Sequence, residues 1–121
     1  MRNRRRETSQ VVLEKIIGYC NQIDDLINEF GNSYENYVSK AALKLSCDMC
    51  VFQIGELTTR FTEEFKNQHR EIDWRKIRAL RNIHAHEYET VDLEEMWKIL
   101  SEDIPAFKER LTTILETMRE D

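Results

Sequence analysis

The stretch RNIHAHEY, residues 81–88, gathers Arg81, Asn82, His84, His86 and Tyr88. A histidine titrates near neutral pH and can take the proton of a ribose 2′-hydroxyl or protonate a leaving oxygen. An arginine stays charged, and its planar fork matches phosphate oxygens, so it can stabilise charge building on phosphorus. One histidine with one arginine is therefore enough, in principle, to cleave RNA without a metal. The ribose supplies the nucleophile, and no catalytic serine or cysteine is needed. The bland alternative is a polar helix end whose Arg and His side chains complement the helix dipole.

Spacing constrains the chemical reading. On an ideal helix Arg81 and His86 stand roughly 140° apart, whereas residues three or four apart, such as Arg81 with His84 or Asn82 with His86, are neighbours. A site built from Arg81 and His86 needs the helix to end around residues 84–87, or a second copy of the chain to complete a cleft.

The elements that must position these residues read as helices. Three glycines and one proline leave too little punctuation for a turn-rich β fold. Apolar residues recur at three- and four-residue spacing over 9–30, from Val12 and Ile16 to Ile23 and Phe30, with Thr8 or Ser9 as the cap and Gly31 with Asn32 as the stop. A second helix is expected over 34–67 with Val38, Leu45, Met49, Phe52, Phe61 and Phe65 in its stripe; it would span roughly 50 Å. Gly55 lies inside it, either as a weak point costing about 1 kcal/mol against alanine or as a place of close helix approach. QHREI at 68–72 connects to a third helix, capped by Asp73 and running into RNIHAHEY; EYETV follows as a connection. Asp92 and Glu95 form a start close to a capping box for the last segment, in which Pro105 predicts a kink or break near 102–105. The expectation is a single all-α domain over 1–121, an antiparallel four- to five-helix bundle.

Charge and cysteines narrow the class. The net charge is −5, yet Arg2, Arg4, Arg5 and Arg6 crowd the basic N-terminal tail, 1–7. Without those four, 14 Lys and Arg face 23 Asp and Glu. The tail is either an RNA-contacting arm or a solvated terminus. Cys20, Cys47 and Cys50 are an odd set with no signal peptide or membrane-spanning run, which points to free thiols in a reducing cytoplasm and no membrane association. Cys47 and Cys50 form a Cys-x-x-Cys pair that His84 and His86 could complete as a zinc site. Their place in an apolar helical stripe favours buried structural cysteines and no metal.

Residues 72–104, IDWRKIRALRNIHAHEYETVDLEEMWKILSEDI, resemble the HepT toxins of the HEPN superfamily. That signature is an arginine, four residues, a histidine, one residue and a tyrosine; it falls on Arg81, His86 and Tyr88. IGEL at 54–57 resembles a further run of the family. The resemblance implies an HEPN-like bundle that forms a homodimer, with Arg81 and His86 catalytic in a shared cleft and Asn82 in support. It implies an RNA substrate, cleavage without a cofactor, and a minimal nucleotidyltransferase antitoxin that silences the toxin by adenylylation of Tyr88. An AMP group on Tyr88 would place a negative phosphodiester where an RNA phosphate binds. Many relatives carry a second arginine and an aromatic where this chain has Ile83 and Glu89, which removes one positive charge and adds one negative. Those departures keep open a non-catalytic HEPN subunit that only binds a nucleotidyltransferase. His84 is an extra histidine, either assisting the site or packing beside Ile77.

Overall fold

Thr8 opens the first helix by accepting a hydrogen bond from the Val11 N–H at 3.2 Å. This helix, α1, spans Ser9–Phe30 and ends where Gly31 takes φ 103°, a left-handed conformation that suits glycine. It matches the sequence expectation from cap to stop. The computed structural model describes residues 8–82 and 92–120. After α1 come α2 (Tyr34–Ser39), α3 (Ala41–Thr58), α4 (Glu63–Gln68), α5 (Trp74–Ala79), α6 (Leu93–Lys98), a π-helical turn (Ile99–Asp103) and α7 (Ile104–Glu120). The fold is an all-α bundle, with no strand among the described residues.

The expected single helix over 34–67 is instead three helices. Lys40 adopts an extended conformation (φ −106°, ψ 100°) between α2 and α3. Tyr37 explains the break. It is fully buried, and its hydroxyl donates to Asp48 Oδ1 at 2.7 Å, eleven residues on. On one straight helix that separation would be about 16 Å along the axis, beyond the combined reach of the two side chains. Breaking at Lys40 brings them together. A second break follows Thr58, and Thr62 restarts the chain by capping α4 through the Phe65 N–H at 3.0 Å.

The break also resets the face that α3 buries. Leu43, Cys47, Cys50, Val51 and Ile54 enter the core, whereas Val38, Leu45 and Met49, expected in the stripe, are exposed. Leu57, Phe61 and Phe65 of the same expected stripe are buried. The stripe is thus right in part, because α3 is apolar on much of its circumference and periodicity alone leaves its buried face ambiguous.

Three long helices set the architecture. Lys108 of α7 pairs with Asp24 of α1 at 3.0 Å, and Arg119 pairs with Glu14 at 2.8 Å. Later residues of one helix meet earlier residues of the other, so α1 and α7 run antiparallel. The groove between α1 and α3 shows the same inverse order: Tyr19 and Gln22 face Gln53 and Leu57, while Glu29 lies toward the Leu45 end. Pro105 does not interrupt the chain's helical path. The preceding turn widens, so that the Ile104 N–H reaches back five residues to the Ile99 carbonyl, and this π-turn accommodates the ring in place of a break. No helix of the described residues is long and apolar enough to cross a membrane.

Cys20, Cys47 and Cys50 are free and buried. Burial, helped by the nearby Asp24 carboxylate, pushes the Cys20 thiol up from 9.0 to about 12. Burial and the neighbouring Cys50 push Cys47 up to about 12 as well. Burial raises Cys50 too. Because the raised values belong to the folded state, their contribution to stability is intact below about 9 and falls as pH climbs toward about 12. Native protein at pH near 8 should therefore leave all three thiols unmodified by iodoacetamide, and urea-unfolded protein should take up label on each. Mass spectrometry showing native Cys20 alkylated at the unfolded rate would contradict this.

Candidate active site

The approach to Arg81 begins at Trp74. Asp73 caps α5 by accepting from the Lys76 N–H at 3.1 Å, as the sequence predicts. The Trp74 indole N–H donates to the Lys66 carbonyl at 3.2 Å and the His69 carbonyl at 3.0 Å, satisfying the open C-terminal end of α4. Its ring packs edge-on against Phe61 at 5.1 Å and Phe107 at 6.4 Å between ring centroids. Ile77 and Leu80 then fill the core. The first turn of α5 is thus fixed by aromatic packing and the rest by aliphatic burial.

The helix does not run into RNIHAHEY as expected. It ends at Ala79, and the chain tightens: the Leu80 N–H bonds to the Ile77 carbonyl at 3.1 Å and the Arg81 N–H to the Arg78 carbonyl at 3.3 Å. These three-residue closures turn Arg81 away from the ideal helical phase. Asn82 is helical again, so among the described residues the departure from a regular helix is confined to the turn at Leu80 and Arg81.

Arg81 then meets α3. A Cβ placed on Gly55 would stand 2.6 Å from the Arg81 backbone nitrogen and 3.1 Å from the Arg81 Cβ. Of the two roles open to Gly55 in the sequence, close approach is the observed one. The next residue, Glu56, brings Oε1 to 3.6 Å from Arg81 Nη1. Both side chains are about two-fifths exposed, 41% for Arg81 and 44% for Glu56, so the guanidinium is steered by one carboxylate and still open to solvent. Asn82 is exposed. His84, His86 and Tyr88 lie outside the described residues. Glu56 is not legible as a site residue from the sequence, because local spacing carries no sign of a partner so distant in the chain; its one mark there is its place within IGEL.

Cys47 and Cys50 are committed to the core of α3, where the Cys50 thiol sits 3.8 Å from Gln22 Oε1. Among the described residues no three metal-ligating side chains cluster. His69 is occupied at the end of α4, its ring tilted 50° against Phe65 at 4.6 Å between centroids and facing Glu71 at 3.7 Å.

The profile of the family described as "Ribonuclease HepT-like" matches residues 10–114. The chain belongs to the HepT-like ribonuclease family. Among curated relatives, "Probable ribonuclease HepT" of Thermococcus cleftensis is 31% identical over 69% of this chain and 78% of its own length. "Putative RNase TTE0752" of Caldanaerobacter subterraneus is 26% identical over 91% of this chain and 96% of its own length. "Putative RNase MJ1380" of Methanocaldococcus jannaschii is 25% identical over 67% and 74%. No solved structure matches the chain. The matched span of this HepT-like chain holds both the α3 seat at Gly55 and Glu56 and the whole of RNIHAHEY.

Proposed function

We propose that this HepT-like chain is a metal-independent ribonuclease toxin that cleaves RNA with Arg81 and His86 in a homodimer cleft. His86 takes the proton of a ribose 2′-hydroxyl, the 2′-oxygen attacks the adjacent phosphorus, and the bond to the 5′-oxygen breaks. The departing oxygen takes up a proton, from an imidazolium or from water, and a 2′,3′-cyclic phosphate remains. Arg81 neutralises the charge that accumulates on the phosphoryl oxygens. Asn82 supports the site, and His84 is a candidate assistant. In the silenced form a minimal nucleotidyltransferase partner adenylylates Tyr88: the phenol oxygen attacks the α-phosphorus of ATP and pyrophosphate leaves. The attached phosphodiester then competes with RNA for Arg81.

The single observation that carries this reading is Arg81 itself. In a chain of the HepT-like ribonuclease family, the motif arginine stands just past a helix end, with its backbone against α3 and its guanidinium open to solvent. Purified protein should degrade RNA in EDTA, and His86→Ala should lose that activity by about 10²-fold or more. Cleavage persisting in the variant would defeat the assignment.

A second reading is a binding subunit without chemistry. The carboxylate of Glu56 beside Arg81, together with Glu89 and Ile83 in the motif, favours it by lowering positive charge where phosphate would sit. It predicts a stable complex with a nucleotidyltransferase, no cleavage, and no growth defect when the chain is expressed alone.

A further inference from the structure

We infer that Gly55 and Glu56 form the seat of Arg81, Gly55 setting its backbone and Glu56 the direction of its guanidinium. The inference rests on the reading of Arg81 as catalytic and makes Gly55 and Glu56 positioning residues for it.

The backbone half of the seat is steric. The atoms that a Gly55 Cβ would meet are the Arg81 nitrogen at 2.6 Å, its Cβ at 3.1 Å and its Cα at 3.2 Å. None can swing aside by a rotamer change, so any side chain at 55 must push the Arg81 backbone off α3. The platform is rigid. Gly55 lies in the last turn of α3, where the Thr58 hydroxyl donates to the Gly55 carbonyl at 2.7 Å inside the core. The Thr59 N–H closes the helix on the Glu56 carbonyl at 3.1 Å. On the other side, the Arg81 N–H is held by the Arg78 carbonyl at 3.3 Å.

The side-chain half is electrostatic. Glu56 follows Gly55 directly, so the residue that admits the Arg81 backbone is adjacent to the one that receives its guanidinium, 3.6 Å away at Nη1. A pair this exposed adds little to folding stability. What it does is narrow the directions of a long side chain. A guanidinium has five N–H donors. A single carboxylate approaching Nη1 leaves the others for a phosphate, so the seat holds the fork without filling it. The charge of Glu56 weakens RNA binding somewhat, while fixing the fork favours the transition state. That opposition gives the seat a kinetic signature that a structural role lacks.

The test compares Gly55→Ala, Glu56→Gln and Glu56→Asp in the full chain, with Arg81→Ala as the reference for the underlying reading. Glu56→Gln should lower kcat about tenfold with KM unchanged or reduced, and Glu56→Asp should restore part of kcat. Gly55→Ala should lower kcat by about 10–100-fold, the scale expected of an ångström-sized misplacement. If Gly55→Ala fails to fold, the Glu56 pair decides. Glu56→Gln with unchanged or higher kcat overturns the seat, because the carboxylate would then only repel RNA. Failure of the reading itself looks different: Arg81→Ala would cleave at the wild-type rate. If the wild-type chain does not cleave, ¹⁵Nε relaxation of Arg81 still tests the seat. Increased motion of the guanidinium in Glu56→Gln supports it, and an unchanged order parameter overturns it.

Discussion

Arg81→Ala is expected to lower RNA cleavage by about 10²–10³-fold in kcat, the loss typical of removing one preorganised charge-stabilising group. The same variant should leave folding almost untouched. Its ion pair with Glu56 joins two side chains that are 41% and 44% exposed, and such pairs contribute little to stability. The backbone contact with Gly55 is retained when the side chain is shortened to alanine, because it involves the nitrogen, Cα and Cβ. Activity and stability thus separate cleanly, which is what distinguishes a chemical role from a structural one. Arg81→Lys should fall between the wild type and alanine. It keeps the charge but loses the planar fork that grips phosphate oxygens in pairs. The measurement is initial rates on a labelled RNA in EDTA, alongside a urea melt of each variant. Arg81→Ala within about threefold of wild-type kcat would remove arginine from the mechanism; a threefold change is less than 1 kcal/mol of barrier.

The second large effect is on folding and lies away from RNIHAHEY. Asp48→Ala should destabilise the protein by about 3–5 kcal/mol, the usual cost of removing one partner from a buried ion pair. Asp48 is 2% exposed. It accepts from the Tyr37 hydroxyl at 2.7 Å and from Lys44 Nζ at 2.6 Å, and thereby joins α2 to α3 across the break at Lys40. A small domain has only about 5–15 kcal/mol in total, so this loss is a large part of the whole. Asp48→Asn keeps the shape and an acceptor for Tyr37 while losing the charge that holds Lys44, and should cost less. Urea unfolding would show the midpoint falling with an unchanged slope. A loss under about 1 kcal/mol for alanine would mean that the pair does little more than break even with its desolvation. Because α3 also carries Gly55 and Glu56, a destabilised Asp48 variant should lose cleavage only as it unfolds, unlike Arg81→Ala.

Much of this protein was determined by the local sequence. Scarce glycine and proline with apolar residues at helical spacing specify an all-α chain, and Thr8, Asp73 and Asp92 each cap the helix they precede, through short-range bonds to N–H groups two or three residues on. The residue types at 81, 86 and 88 identified the chemistry worth asking about, since reactivity belongs to the side chains themselves. The tertiary structure decided the rest. It divided the expected 34–67 helix, because Tyr37 gains a buried partner in Asp48 only if the chain turns at Lys40. It chose which face of α3 is buried, a choice left ambiguous by a helix apolar on much of its circumference. It ended α5 at Ala79 and set the Arg81 backbone on Gly55 beside Glu56. Helical periodicity reports on neighbours within a turn or two, whereas the contact that seats Arg81 joins residues distant in the chain. Only packing α5 against α3 brings them together, and only the absence of a side chain at Gly55 lets them come so close.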